Sequence, residues 1–437
     1  MKKLNLLISI TFVFITSLFA DGEQPFGAGT EVNPYQISTL NNLLWISTNQ
    51  VSWNKYYVQT ADIDATATSN WNSGAGFSPI GNYSAKFTGN YDGGNHTISN
   101  LFINNSNFYS GLFGYTESMY NVIKDLGITD CNISGNYAVG ALVGYSETEI
   151  VNCYSSGSIS ATTNSGGGLV GSNSENISRS YSTCSVTGGY EVGGLVGYNK
   201  FQIKECFSTG NIIGSSQVGG FVGRNESLVE NCYSTGNVSG NDYYEQIGGF
   251  CGFLSEGWIW LCYSLGDVNN YNNLTDHGFI GTELGFTNYF GNFFDIEASN
   301  QQTDVLEAAT PKTTAEMKTE STFTDEWWDF VGESTNGEDD LWNIDLSIND
   351  GYPHLTAFFE STPLSAPQNL TISFSNSEVM LSWNSVTGAS SYKIYSSATP
   401  NGNFEENLSG SFDSESWTAS IPTESAKIFY RVTALSD

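Results

Sequence analysis

The stretch "EVGGLVGYNKFQIKECFSTGN", residues 191–211, decides the fold. Glycines stand where a helix or an ordinary strand would carry side chains, and a cysteine and an aromatic follow at a fixed distance. Read alone, the stretch fits a phosphate cradle, a metal site or a structural repeat. Lining up the glycine pairs separates the three. "GLFG" ends at Gly114, "ALVG" at Gly144, "GLVG" at Gly171 and Gly197, "GFVG" at Gly223, "GFCG" at Gly252 and "GFIG" at Gly281, in steps of 30, 27, 26, 26, 29 and 29 residues. A phosphate loop occurs once, between a strand and a helix, and carries a lysine or an acidic partner. A zinc site needs paired cysteines or histidines, and here the cysteines come singly. A fixed period of this length marks a stacked repeat.

A second block follows each glycine pair: "NCYSSGSIS", "RSYSTCSVT", "ECFSTGNII", "NCYSTGNVS" and "LCYSLGDVN". Cys153, Ser180, Cys206, Cys232 and Cys262 therefore share one column, and Ile159, Val186, Ile212, Val238 and Val268 another. Between them runs an aromatic column of Tyr154, Tyr181, Phe207, Tyr233 and Tyr263. The pattern predicts an all-β chain whose residues 111–297 form a parallel β-helix of about seven coils, each unit pairing with the next at about 4.8 Å. Alternation along a strand puts Cys206, Ser208, Gly210 and Ile212 on the inner face and Phe207, Thr209 and Asn211 on the outer one. Small residues in the glycine columns let neighbouring walls approach. The cysteine column becomes a ladder of buried thiols. Parallel Cβ vectors keep stacked cysteines too far apart to bridge comfortably, so free thiols are expected. Cys131 and Cys184 fall in the Gly157 and Gly210 column with a coil between them, and Cys251 lies inside "GFCG"; none of these has an evident partner.

The ends read differently. "MKKLNLLISITFVFITSLFA" has a basic start, an apolar run and a small residue at Ala20, the pattern of a secretory signal peptide over 1–20, and no later segment is apolar enough to span a bilayer. Residues 21–110 are expected to hold an N-terminal cap and the first coils, with Leu40, Leu43, Leu44 and Ile46 at helical spacing as a plug. Residues 298–360, with Trp327, Trp328 and Trp342, are expected to cap the other end. A proline-bearing linker at 361–370 precedes simple alternation in Val379, Leu381 and Trp383, Tyr392 and Ile394, and Ile428, Tyr430 and Val432, the mark of a small β-sandwich over 371–437.

The motif "GGLVGYN" followed by "NCYSTGNVSG" resembles the GLUG repeat of bacterial secreted and surface proteins. The flanking blocks at 28–47, 77–103, 292–302 and 313–355 are similar to segments that bracket such repeats. The resemblance implies an extracellular β-solenoid and little about chemistry. Some immunoglobulin A1 peptidases carry similar repeats with an HExxH zinc motif. This chain has only His96, His277 and His354, far apart in sequence, so that activity is excluded. "PQNLTIS", "VMLSWNSVTGASSYKIYSS" and "FYRVTA" resemble strands of a fibronectin type III domain, with Trp383 and Tyr430 as core packers; in that family a further strand would follow Asp437.

The formal net charge of −31 repels nucleic acid and anionic membrane surfaces. Calcium is the only cofactor the acidic surplus invites, at Asp339, Asp340, Asp345 and Asp350 in "NGEDDLWNIDLSINDG"; without regular spacing the segment reads rather as a solvated turn, and no cofactor is expected. "YDGGNH" at 91–96 reads as a turn. The aromatic column has two readings, a sugar-stacking ladder or rings packed under a neighbouring loop. The acidic and basic residues after each glycine block, Glu147, Glu175, Lys200, Glu226 and Glu256, read as a solvated turn of mixed sign with no partner column. Glycosidases need two carboxylates about 5–9 Å apart and lyases need a base beside clustered acids; neither pattern stands out. The expected function is a monomeric, extracellular binding or adhesion scaffold for a glycan or a host or neighbour-cell surface protein. The alternative is a polysaccharide lyase or glycoside hydrolase on a parallel β-helix.

Overall fold

The computed structural model describes residues 22–435 except 107, 242–245, 305–306, 360–366, 376–377, 387–388, 390, 398–404, 407–409, 414 and 421–427. The segment 1–20 read as a signal peptide and most of the expected linker at 361–370 lie outside them. The described chain divides into two units, one over residues up to 353 without 341–343, the other of 341–343 with 354–437.

The first unit is the parallel solenoid. One coil shows how it is built. Val196–Asn199 forms the first wall, Ile203–Ser208 the second, and Ile212–Gly214 with Ser216–Gly219 the third. Each pairs in parallel with its equivalent above and below, as in Val170–Val196–Val222 and Ile177–Ile203–Val229. Parallel pairing reaches beyond 111–297 at both ends. Tyr35–Ile37 pairs with Tyr56–Gln59, and Phe293–Asp295 with Thr310–Lys312. The interior is a set of in-register columns. Leu112, Leu142, Leu169, Leu195, Phe221, Phe250 and Phe279, the second letter of each glycine block, are all fully buried. Phe221, Phe250 and Phe279 stack at 4.8 Å spacing. The glycines are needed where walls meet. A Cβ on Gly194 would lie 2.1 Å from the Gly220 carbonyl oxygen, so any side chain would push the coils apart.

Hydrogen bonds close the corners. The Asn173, Asn199 and Asn225 side chains are fully buried; the Asn173 amide donates to Asn199 at 2.9 Å and the Asn199 amide to Asn225 at 2.8 Å. The same amides donate to the carbonyls two residues on, of Glu175, Phe201 and Ser227. Ser155, Ser208, Ser234 and Ser264 tie the second wall to the glycine pair through bonds of 2.7–3.0 Å to Gly168, Gly220, Gly249 and Gly278.

The cysteine column sits beside a bend. Asp125, Asn152, Arg179, Glu205, Asn231 and Leu261 all have positive φ, between 45° and 54°. This left-handed backbone is costly for residues other than glycine. It turns one carbonyl inward, and the next side chain answers it: the thiols of Cys206, Cys232 and Cys262 each lie 3.1 Å from the carbonyl two residues back, and Ser180 Oγ lies 2.9 Å from its own. The Ser180 hydroxyl in turn accepts from the Cys153 amide at 3.0 Å. A short side chain with a donor is what the position requires, so cysteine and serine alternate there. All seven cysteines are buried and free, as expected, and burial pushes Cys153 up to about 12. Cys131 and Cys184 do find a partner. Cys131 pairs with Gly157, Ser185 pairs with Ser158, and the two thiols meet.

Leu40–Thr48 is the expected helix, capped by Thr39, whose hydroxyl accepts from the Asn42 amide at 3.2 Å. Leu43 and Ile46 are fully buried in the solenoid core. "YDGGNH" does turn, though not as a hairpin: Asn90–Ser99 is one strand broken at a solenoid corner, with Gly94 at φ 58° and Asn95 at φ 61°. At the other end Trp328 is buried near Tyr263 and Phe293, Trp327 is 62% exposed, and Trp342 pairs with Leu355 in the second unit. Asp304 accepts from the Phe279, Ile280 and Ala308 amides, and burial raises it to about 6.

Besides the short antiparallel pair of Trp342–Asn343 with His354–Leu355, the second unit holds two antiparallel sheets, consistent with a β-sandwich. Thr371–Ser375, Glu378–Ser382, Ser416–Ser420 and Ser411–Asp413 form one; Glu405–Glu406, Ser391–Ser397 and Phe429–Leu435 form the other. Val379, Leu381, Trp383, Ile394 and Trp417 make its core, with Tyr430 packed against it.

Candidate functional site

The expected aromatic column is a continuous stack. From Tyr154 through Tyr181, Phe207 and Tyr233 to Tyr263, successive centroids are 5.1, 4.6, 4.9 and 5.0 Å apart, with planes within 5° of parallel. Strand register alone produces this, because identical positions on paired parallel strands sit directly over one another. Phe207, Tyr233 and Tyr263 are buried, and Tyr154 and Tyr181 are half-buried. From Tyr181 to Tyr233 each ring has a neighbour on both faces; Tyr154, the first, has Tyr181 on one face and lies over Gly127, which carries no ring, on the other. At the far end the Tyr263 hydroxyl donates to the Pro353 carbonyl and accepts from the Asn349 amide. Burial pushes the Tyr233 and Tyr263 phenols far up.

A second aromatic group lies where the repeat is least regular. Tyr115 and Tyr145 follow their glycine blocks and stand 4.7 Å apart on the outside of the first wall. Tyr109 meets both edge-on, at 5.2 and 5.8 Å. Tyr83 and Phe108 extend the group outward and are 74% and 64% exposed. The loop that presents Tyr83 is fixed by Asn82, whose side-chain oxygen accepts from the Ser84 and Ala85 amides at 3.0 and 3.1 Å. Gly81, at φ 82°, lets that loop lie against the Tyr115 carbonyl; a Cβ would come within 2.3 Å of its oxygen. Trp53, Ser78, Asn82, Tyr83, Phe108 and Tyr109 line an open cleft of about 670 Å³. It combines exposed ring faces with hydroxyl and carboxamide groups.

The charged turn column, read from the sequence as simply solvated, engages this aromatic side. The Tyr115 hydroxyl donates to Glu147 at 3.0 Å, and burial with that carboxylate raises the phenol strongly. Lys86 lies 5.0 Å over the Tyr115 ring and pairs with Glu117. Lys200 and Arg224 lie 4.6 and 5.0 Å over Tyr198, and Arg224 pairs with Glu226. The signal was in the sequence: a tyrosine follows the glycine block at 115, 145 and 198. The Tyr83–Phe108 cleft had no such signal, because its loops belong to no period.

The aspartates considered for calcium are dispersed. Asp345 accepts from the Ser347 amide and hydroxyl, Asp340 from the Gly332 amide, and Asp350 sits in a left-handed turn. Among the described residues no three His, Cys, Asp or Glu side chains converge as metal ligands, and no helix is long and apolar enough to cross a membrane.

Comparison with known proteins agrees with the repeat. The GLUG motif model matches residues 135–160, 188–213 and 214–239, so the chain carries GLUG repeats. Halomucin of Haloquadratum walsbyi is 37% identical over 166 residues, covering 37% of this chain and 2% of halomucin. A putative Gly-rich membrane protein of Evansella cellulosilytica is 34% identical over 133 residues, covering 30% of this chain and 14% of that protein. The chain thus spans a small part of each relative.

Proposed function

We propose that this chain is an extracellular, surface-displayed repeat scaffold that binds neutral glycan through the Tyr83–Phe108 cleft. The observation that carries the reading is the pair of ring faces left open there, beside hydroxyl and carboxamide groups. Aromatic faces gain by covering the apolar side of a pyranose, and the polar rim matches its hydroxyls. The names of the two relatives, halomucin and a Gly-rich membrane protein, support display at a surface. The signal-like N-terminus supports export. In this reading the stacked column serves packing, with the half-buried Tyr154 and Tyr181 as its contribution to a surface. The sandwich unit, read as fibronectin-like, acts as a spacer. A net charge of −31 favours neutral over acidic ligands and keeps the scaffold monomeric.

The test is a glycan array with residues 21–437, followed by titration of the best hit against a Tyr83→Ala, Phe108→Ala variant. Loss of binding with unchanged melting supports the cleft. Unchanged binding refutes it. Depolymerisation of a polysaccharide, abolished by one carboxylate substitution, would establish the hydrolase or lyase alternative instead.

A further inference from the structure

Near the C-terminal end of the solenoid the outer face of the second wall changes character. Trp258 and Trp260 stand on the same side of one strand, Trp258–Trp260, and their indoles stack at 5.4 Å with planes 12° apart. Trp258 is nevertheless 47% exposed, so one indole face is covered by its neighbour and much of the remainder is open. The Trp260 ring is fixed from the next coil, its Nε1 donating to Asn288 Oδ1 at 2.8 Å. Strand register puts Asn288 beside Trp258 and Phe290 beside Trp260 on one flank, and Leu228 and Glu230 on the other. Phe290 is 42% exposed. The equivalent positions two coils earlier are Gln202 and Lys204, so the pair is not demanded by the repeat. Burying two indoles against each other on an outer wall leaves an oriented, rigid aromatic plate with polar groups at its margin.

We infer that the Trp258–Trp260 plate is a second carbohydrate subsite, taking one hexopyranose of a neutral glycan chain against the open Trp258 face. It rests on the reading of the molecule as a glycan-binding scaffold, at a place remote in the coil sequence from the Tyr83–Phe108 cleft. Three features select this occupant. The open surface is a flat ring with its partner already pinned, so little rotamer freedom is lost on stacking. The margin holds a carboxamide, Asn288, and carboxylates, Glu230 and the exposed Glu256, which accept from sugar hydroxyls. Those carboxylates and the net charge of −31 disfavour acidic polysaccharides, nucleic acid and a second copy of this chain.

The experiment is calorimetric titration of residues 21–437 with cellohexaose and mannohexaose, repeated for Trp258→Ala, Trp258→Phe and the Tyr83→Ala, Phe108→Ala pair. Two sites per chain are expected for one of the sugars. Trp258→Ala should remove one of them or weaken it about five- to tenfold, the loss of one stacking contact, and Trp258→Phe should weaken it less. The Tyr83, Phe108 pair should remove the other. One site that survives Trp258→Ala overturns the plate and leaves the cleft standing. One site lost only in Trp258→Ala upholds the plate and refutes the cleft. No binding of either sugar overturns both. A dimer in sedimentation that Trp258→Ala abolishes would make the plate a contact between copies and overturn the inference.

Discussion

The molecule uses tyrosine and phenylalanine in two opposite ways. Along the second wall five rings stack within 5° of parallel and bury their faces in one another. At the Tyr83–Phe108 cleft the rings meet at angles between 38° and 75°, and the outermost are mostly exposed. Residue type does not separate the two groups; register does. A ring on a repeated strand position is forced over its copy in the next coil and spends its face there. A ring on an inserted loop has no copy to cover it. In this solenoid the repeat makes stability and departures from the repeat make surface.

The largest test of that contrast is Tyr233→Ala. The ring is 1% exposed and covered on both faces, so removal leaves a cavity in a stack, with an expected cost of about 3–5 kcal/mol. Denaturant melts of the solenoid should show a lower midpoint at unchanged slope. A loss under 1 kcal/mol would mean the stack relaxes freely, and the ladder would then count as available surface.

Alkaline titration probes the same difference. The Tyr233 and Tyr263 phenols are pushed far above their usual range by burial. Such groups add stability that is full below about pH 10, the ordinary tyrosine value, and is lost as pH rises beyond it, because only the unfolded chain releases those protons easily. Phenolate absorbance at 295 nm should therefore rise in two parts, one early and reversible, and one coincident with loss of the β-sheet circular dichroism signal. A single smooth rise without unfolding would show the ladder to be open to solvent.

How much of this was legible follows from the same distinction. The glycine blocks, the cysteine column and the aromatic column repeat, so alignment of the chain with itself placed them on coils. The helix at Leu40–Thr48 was visible from its apolar spacing. Whether the column rings were covered was not visible, because period gives register and not what lies outside the wall. The reason for cysteine was also hidden: the left-handed residue before it, as at Glu205 with φ 53°, exposes a carbonyl that no composition rule announces. Cys131 and Cys184 meet with a coil between them, a contact two coils apart in a pattern read one coil at a time. Tyr83 and Phe108 lie on loops that belong to no period, and Trp258 and Trp260 stand on repeated strand positions whose residue types are not repeated.

A smaller effect is expected at the first corner. Asn199→Ala removes a fully buried amide that donates to both Asn225 and the Phe201 carbonyl, at 2.8 and 2.6 Å. It also leaves the Asn173 amide without its acceptor on that side. Unsatisfied buried groups of this kind cost about 1–3 kcal/mol. Hydrogen exchange should report the loss locally, in the amides of the adjoining turns from Asn173 to Ser227, before it reaches the ring stack. Exchange that instead rises equally throughout would make the ladder and corner one cooperative unit.

The smallest stability change is predicted where the binding change is clearest. Tyr83 and Phe108 are mostly exposed, and their rings rest on Tyr115, Tyr109 and Tyr137 without completing any buried stack. Replacing both with alanine should shift unfolding free energy by no more than about 0.5 kcal/mol, the usual range for surface sites. The loop itself is held by Asn82 and Gly81, which the substitutions leave in place. Each stacking contact to a sugar should weaken binding by about 1 kcal/mol, so the pair together lowers affinity roughly thirtyfold if the contacts are independent. Melting and titration of the same double variant thus give opposite answers for the two kinds of ring: strong on stability and silent on binding for Tyr233, silent on stability and strong on binding here. A double variant that melts well below the parent would place Tyr83 and Phe108 with the ladder, and the contrast between repeated and inserted rings would fail.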